Sequence, residues 1–158
     1  MASASERGKS NQRKGGYHER KNGKALSELT GLIFKRNFEQ RIQADHLGDL
    51  LYDDADFPFT IENKYRSKGN GIPSGAWDQA CRTAAKTKDK MPSVVWQNGR
   101  TAPRVRVPMS AIGLAHGGEQ GGFLFATADL PLEDYAELAL RLMGRDKHPE
   151  APWLICDQ

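Results

Sequence analysis

The spacing of apolar and polar positions along the chain changes several times, and each change marks an element. Tyr17, Ala25, Leu26 and Leu29 recur at helical spacing, which predicts a first helix over about residues 16–30. Gly31 ends it as a C-terminal glycine does. Gly23 weakens it from within, because glycine costs about 1 kcal/mol against alanine inside a helix. Three strand-like segments follow: Leu32-Ile33-Phe34 running towards Phe38, Leu47 to Tyr52, and Phe57 to Tyr65. Between the last two, Asp53, Asp54, Ala55 and Asp56 suit a hairpin turn. The loop 67–73 leads to Ser74, a candidate N-cap for a second helix over about 75–87. Trp77, Ala80, Cys81, Ala84 and Ala85 form its expected buried stripe, with Gln79, Arg82 and Lys86 in a polar row beside it.

Further strands are expected at 92–97, at Arg104-Val105-Arg106-Val107, whose alternation gives one wet face, and at Phe123-Leu124-Phe125. A last helix over about 131–143 places Leu132, Tyr135, Ala136, Ala139, Leu142 and Met143 on one face, and Gly144 stops it. The order is α-β-β-β-α-β followed by additions. It predicts an α/β (α+β) fold with a central mixed sheet flanked by helices. No internal repeat is present.

Composition narrows the class. The 158 residues, 38% hydrophobic and 27% charged, are enough for one globular domain. Residues 1–13 lack a large apolar side chain after Met1 and are expected to be a flexible basic arm ahead of a single domain over 14–158. No apolar run is long enough to span a bilayer, and no apolar stretch follows the N-terminal charges as in a signal peptide, so a cytoplasmic protein is expected. Cys81 and Cys156 match no zinc spacing and read as reduced thiols, with Cys81 on a helical stripe. The net charge of +3 is unevenly placed: residues 1–24 carry seven Lys and Arg against two Glu, a net +5, and residues 119–158 carry eight acids against three bases, a net −5. A basic end points to a polyanionic partner, although such ends are often only solvated tails.

The third strand carries the chemistry. Residues two apart in an extended chain share a face, so Phe59 and Ile61 point into the core while Glu62 and Lys64 point the other way together. Asp49 lies thirteen positions before Glu62, and antiparallel pairing through the turn would bring it alongside. Two carboxylates so placed form a hard-oxygen site for Mg²⁺ or Mn²⁺. Hydrolysis of a phosphodiester needs such a site, because a divalent ion offsets the charge that builds on the phosphoryl oxygens. A lysine beside it can position the attacking water or stabilise the transition state. Asp53, Asp54 and Asp56 are better explained by turn formation. His46, three residues before Asp49, lacks the further ligands of a His-metal finger nuclease, and His18 is open to either phosphate contact or simple exposure. Trp77 and Trp96 read as core residues. Arg104 and Arg106 share a strand face that could extend a basic surface.

Gly48-Asp49 with Glu62-Asn63-Lys64 resembles the split Asp…Glu-x-Lys motif of the PD-(D/E)XK nuclease superfamily. The expected element order resembles that superfamily's restriction-endonuclease-like core. Lys14-Gly15-Gly16-Tyr17-His18-Glu19-Arg20 is similar to the opening of archaeal-type Holliday junction resolvases and related phage nucleases. The resemblance covers about 14–107 and leaves a C-terminal, helical extension over about 108–158 unexplained. It implies a metal-dependent DNA endonuclease acting in the cytoplasm of a bacterial or phage-infected cell, with structure-specific cutting in the manner of a resolvase as one form of that activity. Asp49, Glu62, the Asn63 carbonyl and Glu19 would hold the metal, with Glu28 the substitute for Glu19. Lys64 would act on water and Gln79 would support the site. Lys14, Arg36, Arg66 and Lys68 would contact DNA, whether branched or duplex, by neutralising phosphates. A resolvase cuts two symmetric strands, which implies a homodimer. Two readings of other classes compete: a non-catalytic nucleic-acid-binding module using the basic arm, and an assembly protein using its acidic C-terminal helix. Metal-dependent cutting of DNA separates them from the enzyme.

Overall fold

A computed structural model describes residues 4–38, 48–115 and 126–145, with side chains in the first helix from Arg13 onward. That helix, α1, runs Ala4–Thr30. Strands β1 (Phe34–Arg36), β2 (Leu50–Tyr52) and β3 (Phe59–Arg66) follow. Then come α2 (Ala76–Ala85), β4 (Met91–Asn98), β5 (Arg104–Pro108), α3 (Met109–Ala115), β6 (Thr127–Pro131) and α4 (Leu132–Leu142). The expected α-β-β-β-α-β order is present, and the fold is a mixed α/β sheet with helices on both faces.

The six strands lie in sequential order, β1-β2-β3-β4-β5-β6. All neighbours are antiparallel except β3 and β4, whose parallel pairing aligns Glu62 with Val94 and Lys64 with Trp96. A parallel pair needs a crossover, and α2 supplies it. One sheet face carries Phe59, Ile61, Val95, Val105 and Val107, which pack with Leu26 of α1 and Tyr135, Ala136 and Ala139 of α4 into the main core. The other face carries Val94 and Trp96, covered by Ala76 and Ala80 of α2. Glu62 and Lys64 share that second face.

Local chemistry explains the ends. Gly31 takes φ 77°, and Thr30 Oγ1 closes the last turn of α1 by donating to Leu26 O and accepting from Leu32 N. Glu133 and Asp134 sit in the first turn of α4, where carboxylates favour the helix dipole, and Gly144 at φ 66° ends the segment. Asp54 Oδ1 accepts from Asp56 N, and Asp53 Oδ1 accepts from Ile33 N, so the acidic run serves its turn.

Several expectations need correction. The first helix starts at Ala4 instead of at about residue 16; a helix propagates cheaply into a stretch of tolerant residues once its costly first turn exists. Gly75, at φ 74°, holds the cap position of α2 instead of Ser74, with no side-chain cap bond. The buried stripe of α2 is Ala76, Ala80, Thr83 and Ala84; Trp77 and Cys81 are half-buried and Ala85 is exposed. Cys81 is a free thiol, and Cys156 lies outside the described residues. The strand expected at 123–125 and His46 also lie outside them. The C-terminal third is not merely a helical extension: β6 completes the sheet and α4 supplies Tyr135 to the core. Arg106 forms two 2.7 Å bonds to the Asp129 carboxylate, and Arg104 donates to Asp129 O at 2.6 Å, so this pair is tied to β6. Among the described residues no helix is long and apolar enough to cross a membrane.

Candidate active site

The site is built where β2 enters the sheet. Gly48 adopts φ 75°, and a Cβ there would lie 2.6 Å from Ile61 O, so only glycine fits this corner without a backbone shift. The corner turns Asp49 back onto β3. Asp49 N donates to Ile61 O at 2.7 Å, and Asp49 O accepts from Asn37 N at 2.9 Å. The buried Asn37 side chain donates to Gly48 O, which clamps the same corner from the β1 side. The Asp49 carboxylate is thereby aimed along the edge of β3, where its Oδ2 accepts from Asn63 N at 2.6 Å.

Glu62 is only 2% exposed. A charged group at that depth requires partners. Thr83 Oγ1 donates to Oε1 at 2.9 Å, Gln79 Nε2 donates to Oε2 at 2.9 Å, and Lys64 Nζ donates to Oε2 at 3.1 Å. The same Lys64 ammonium lies 3.8 Å from Asp49 Oδ2. The three motif residues therefore converge, with one ammonium serving two carboxylates. Burial, then the negative charge of Asp49, raises the Glu62 pKa, against the pull of Lys64 and Thr83.

Glu19 of α1 lies near enough to feel the charges of Asp49 and Lys64. Its carboxyl pKa is raised first by burial and then by Asp49, and Arg36 and Lys64 oppose the rise. Arg36 Nε donates directly to Glu19 Oε2. This close approach depends on Gly16, where a Cβ would sit 2.7 Å from Arg36 Nη1. Arg36 is thus held by Glu19 and packed 5.0 Å from the Phe38 ring centroid, instead of standing free at the surface. Glu28 is exposed and pairs with Lys24 at 3.7 Å, which removes it as the alternative helical acid. Asn22, 1% exposed, joins its amide to that of Asn63 at 2.9 Å and locks α1 to β3. Lys14, Arg66 and Lys68 line one groove together with Gly15, Tyr65 and Ser67. His18 stacks on Tyr65 with centroids 3.6 Å apart, and burial holds its pKa below the usual value.

Sequence reasoning missed three residues that set this geometry. Thr83 had a readable signal, since it lies one helical turn after Gln79 on the same row. Asn22 and Asn37 had none: each bonds to a residue distant in sequence.

The donor set suits a hard divalent ion, because two mutually repelling carboxylates and a strand-edge carbonyl offer oxygen alone. Among the described residues no three His, Cys, Asp or Glu side chains gather into a closed metal cage.

An α-β-β-β-α-β core that delivers an aspartate from the entry to β2 and a Glu-x-Lys on β3 to one point is the arrangement of the PD-(D/E)XK nucleases. Residues 10–117 match the family described as "Phage putative PDDEXK endonuclease". The match spans more than half of the chain, and the chain belongs to that endonuclease family. Among solved structures, Hjc, a Holliday junction resolvase from the archaeal hyperthermophile Archaeoglobus fulgidus, is similar at a TM-score of 0.41 and 18% identity, covering 58% of this chain and 76% of that one. A likeness of that degree carries no functional weight. No curated protein matches the chain.

Proposed function

We propose that this protein is a Mg²⁺- or Mn²⁺-dependent endodeoxyribonuclease that hydrolyses phosphodiester bonds in duplex or branched DNA. The observation that carries this reading is the placement of Lys64 Nζ at 3.1 Å from Glu62 and 3.8 Å from Asp49. Asp49 and Glu62 would hold the ion. The Asn63 carbonyl would join them, because in an extended strand it faces the same edge as the Asn63 N–H that meets Asp49. When bound, the ion offsets charge on the phosphoryl oxygens and lowers the pKa of water. Lys64 orients the attacking water and stabilises the negative charge that develops during attack. Gln79 and Thr83 fix the rotamer of Glu62. Glu19 completes the acidic set, and Arg36 balances its charge and turns towards phosphate when DNA arrives.

Lys14, Arg66 and Lys68 neutralise phosphates next to the scissile one. Arg66 is two residues beyond Lys64, so it stands about 7 Å further along the strand. Contacts of this kind give affinity that depends on salt and not on sequence. The enzyme works in the cytoplasm, and cutting both strands of a symmetric substrate would call for a homodimer.

The test is incubation with linear, flapped and four-way DNA in Mg²⁺ or EDTA. Cutting should need the ion and fall at least about 100-fold in Glu62→Ala and Lys64→Ala, within the range set by a lost electrostatic or acid–base group, while DNA binding persists. Binding with no cutting under any metal would leave a binding module instead, and neither activity would leave an assembly protein.

A further inference from the structure

The groove of Lys14, Arg66 and Lys68 holds more than cations. It is a cavity of about 400 Å³, and Tyr65 lines it. β3 ends at Arg66, so the groove wraps the end of the strand that carries Glu62 and Lys64. Side chains alternate along that strand, which puts Lys64 and Arg66 on one face and the Tyr65 ring on the other. His18 of α1 covers one face of that ring, with centroids 3.6 Å apart and 12° between the planes. Tyr17 meets His18 edge-on at 5.3 Å and 88°. Gln97, anchored by its donation to Thr101 O at 2.6 Å, flanks His18. Lys14 stands one helical turn before His18, so cation and ring stack approach the groove from the same side of α1. The metal chemistry proposed above uses none of these rings.

We propose that this cavity takes one unpaired nucleotide of the cut strand, its base stacked against Tyr65 and its phosphate met by Lys14, Arg66 and Lys68. The inference rests on the nuclease reading above and adds to its substrate a base that is out of the duplex beside the cut. Three features support it. An aromatic ring among cations is the combination that holds single-stranded nucleic acid, because every base has a π-face and every link a phosphate. The cavity falls within the range of about 300–1,000 Å³ that suits small ligands. A paired base is shut inside the double helix and reaches a concave site only when it is extruded. The stack with His18 fixes the Tyr65 ring beforehand, so little side-chain freedom is lost when a base arrives. Tyr65 is one residue beyond Lys64, about 3.3 Å along β3, so the stacked nucleotide neighbours the scissile phosphate.

The experiment compares the wild-type chain with Tyr65→Leu, which removes the ring, and Tyr65→Phe, which keeps it. Binding to a labelled single strand and to the blunt duplex of the same sequence is measured in EDTA by fluorescence anisotropy. The ratio of single-strand to duplex affinity should fall about tenfold in Tyr65→Leu, near the low end of what stacking one base supplies, and stay within about twofold of wild type in Tyr65→Phe. A second readout uses a thymidine strand carrying one fluorescent adenine analogue, whose emission is quenched when it stacks on an aromatic ring. Wild type and Tyr65→Phe should quench it, and Tyr65→Leu should not. Should Tyr65→Leu fail to fold, quenching by the other two proteins decides the matter. An equal loss of affinity on single strand and duplex would reduce Tyr65 to a structural residue and overturn the inference. No quenching by the wild-type chain would overturn it as well. Because binding is read without metal, a wild-type chain that cuts nothing would sink the nuclease reading separately.

Discussion

Three glycines that look alike in the sequence do different things in the fold. At Gly48 a Cβ would meet backbone at 2.6 Å and the φ of 75° is itself unfavourable for other residues. Gly48→Ala should therefore cost at least about 2 kcal/mol. At Gly16 the Cβ would meet only the end of the Arg36 side chain, at 2.7 Å, so Gly16→Ala should fold but displace Arg36 from Glu19 and slow cutting. At Gly23 the nearest atoms are 3.5–3.7 Å away, an ordinary contact, so Gly23→Ala should gain up to about 1 kcal/mol of helix propensity. Chemical denaturation of the three variants checks the order. The motif residues Asp49, Glu62 and Lys64 were legible because period-two alternation and hairpin spacing are local facts. The clamp at Asn37 and the bond between Asn22 and Asn63 were not, because they join positions that only the finished fold brings together.

At the scale of elements, α2 is both a crossover and a support for the site. Its Gln79 and Thr83 side chains both donate to Glu62, and of the two Thr83 is the buried one. Thr83→Val keeps the shape and leaves Glu62 Oε1 without this donor. The expected cost is about 1–3 kcal/mol of stability, the penalty of an unsatisfied buried acceptor, together with a fall in cutting rate at unchanged DNA affinity. Equal rates in the two proteins would show that Gln79 and Lys64 orient Glu62 unaided. The register of α2 was misread because its alanines are small enough to fit either side of the stripe, so Trp77 drew the expected face towards itself. β6 was missed for a related reason. Thr127, Ala128, Asp129, Leu130 and Pro131 lack a strong strand pattern and pair only because β5 offers an open edge. The length of α1 was underestimated because residues 4–13 have no apolar stripe to announce a helix.

Across the whole molecule, the core contains two phenols that resist ionisation. Burial raises Tyr52 to about 12. It raises Tyr135 further, although the Ser93 hydroxyl at 2.9 Å opposes the shift. An unfolded tyrosine titrates near pH 10. Below that pH both states are protonated, and the phenols add no pH dependence. Above it the unfolded chain ionises first, so stability should fall by about 1.4 kcal/mol per pH unit for each phenol, until its folded form also ionises. Denaturant titrations from pH 9 to pH 11.5 should show this decline, and Tyr135→Phe should remove about one proton from it. An unchanged slope in that variant would mean that the Tyr135 ring is not sealed from water.

The account depends on Asp49 and Glu62 sharing one divalent ion beside Lys64. A crystal of the protein soaked in Mn²⁺ and measured for anomalous scattering tests this most directly. The expected result is a peak bonded to both carboxylates at about 2.0–2.2 Å, close to the Mg²⁺–oxygen distance, and lost in Asp49→Asn. A peak that touches neither residue, or a full-occupancy ion elsewhere with this pair left bare, would contradict it.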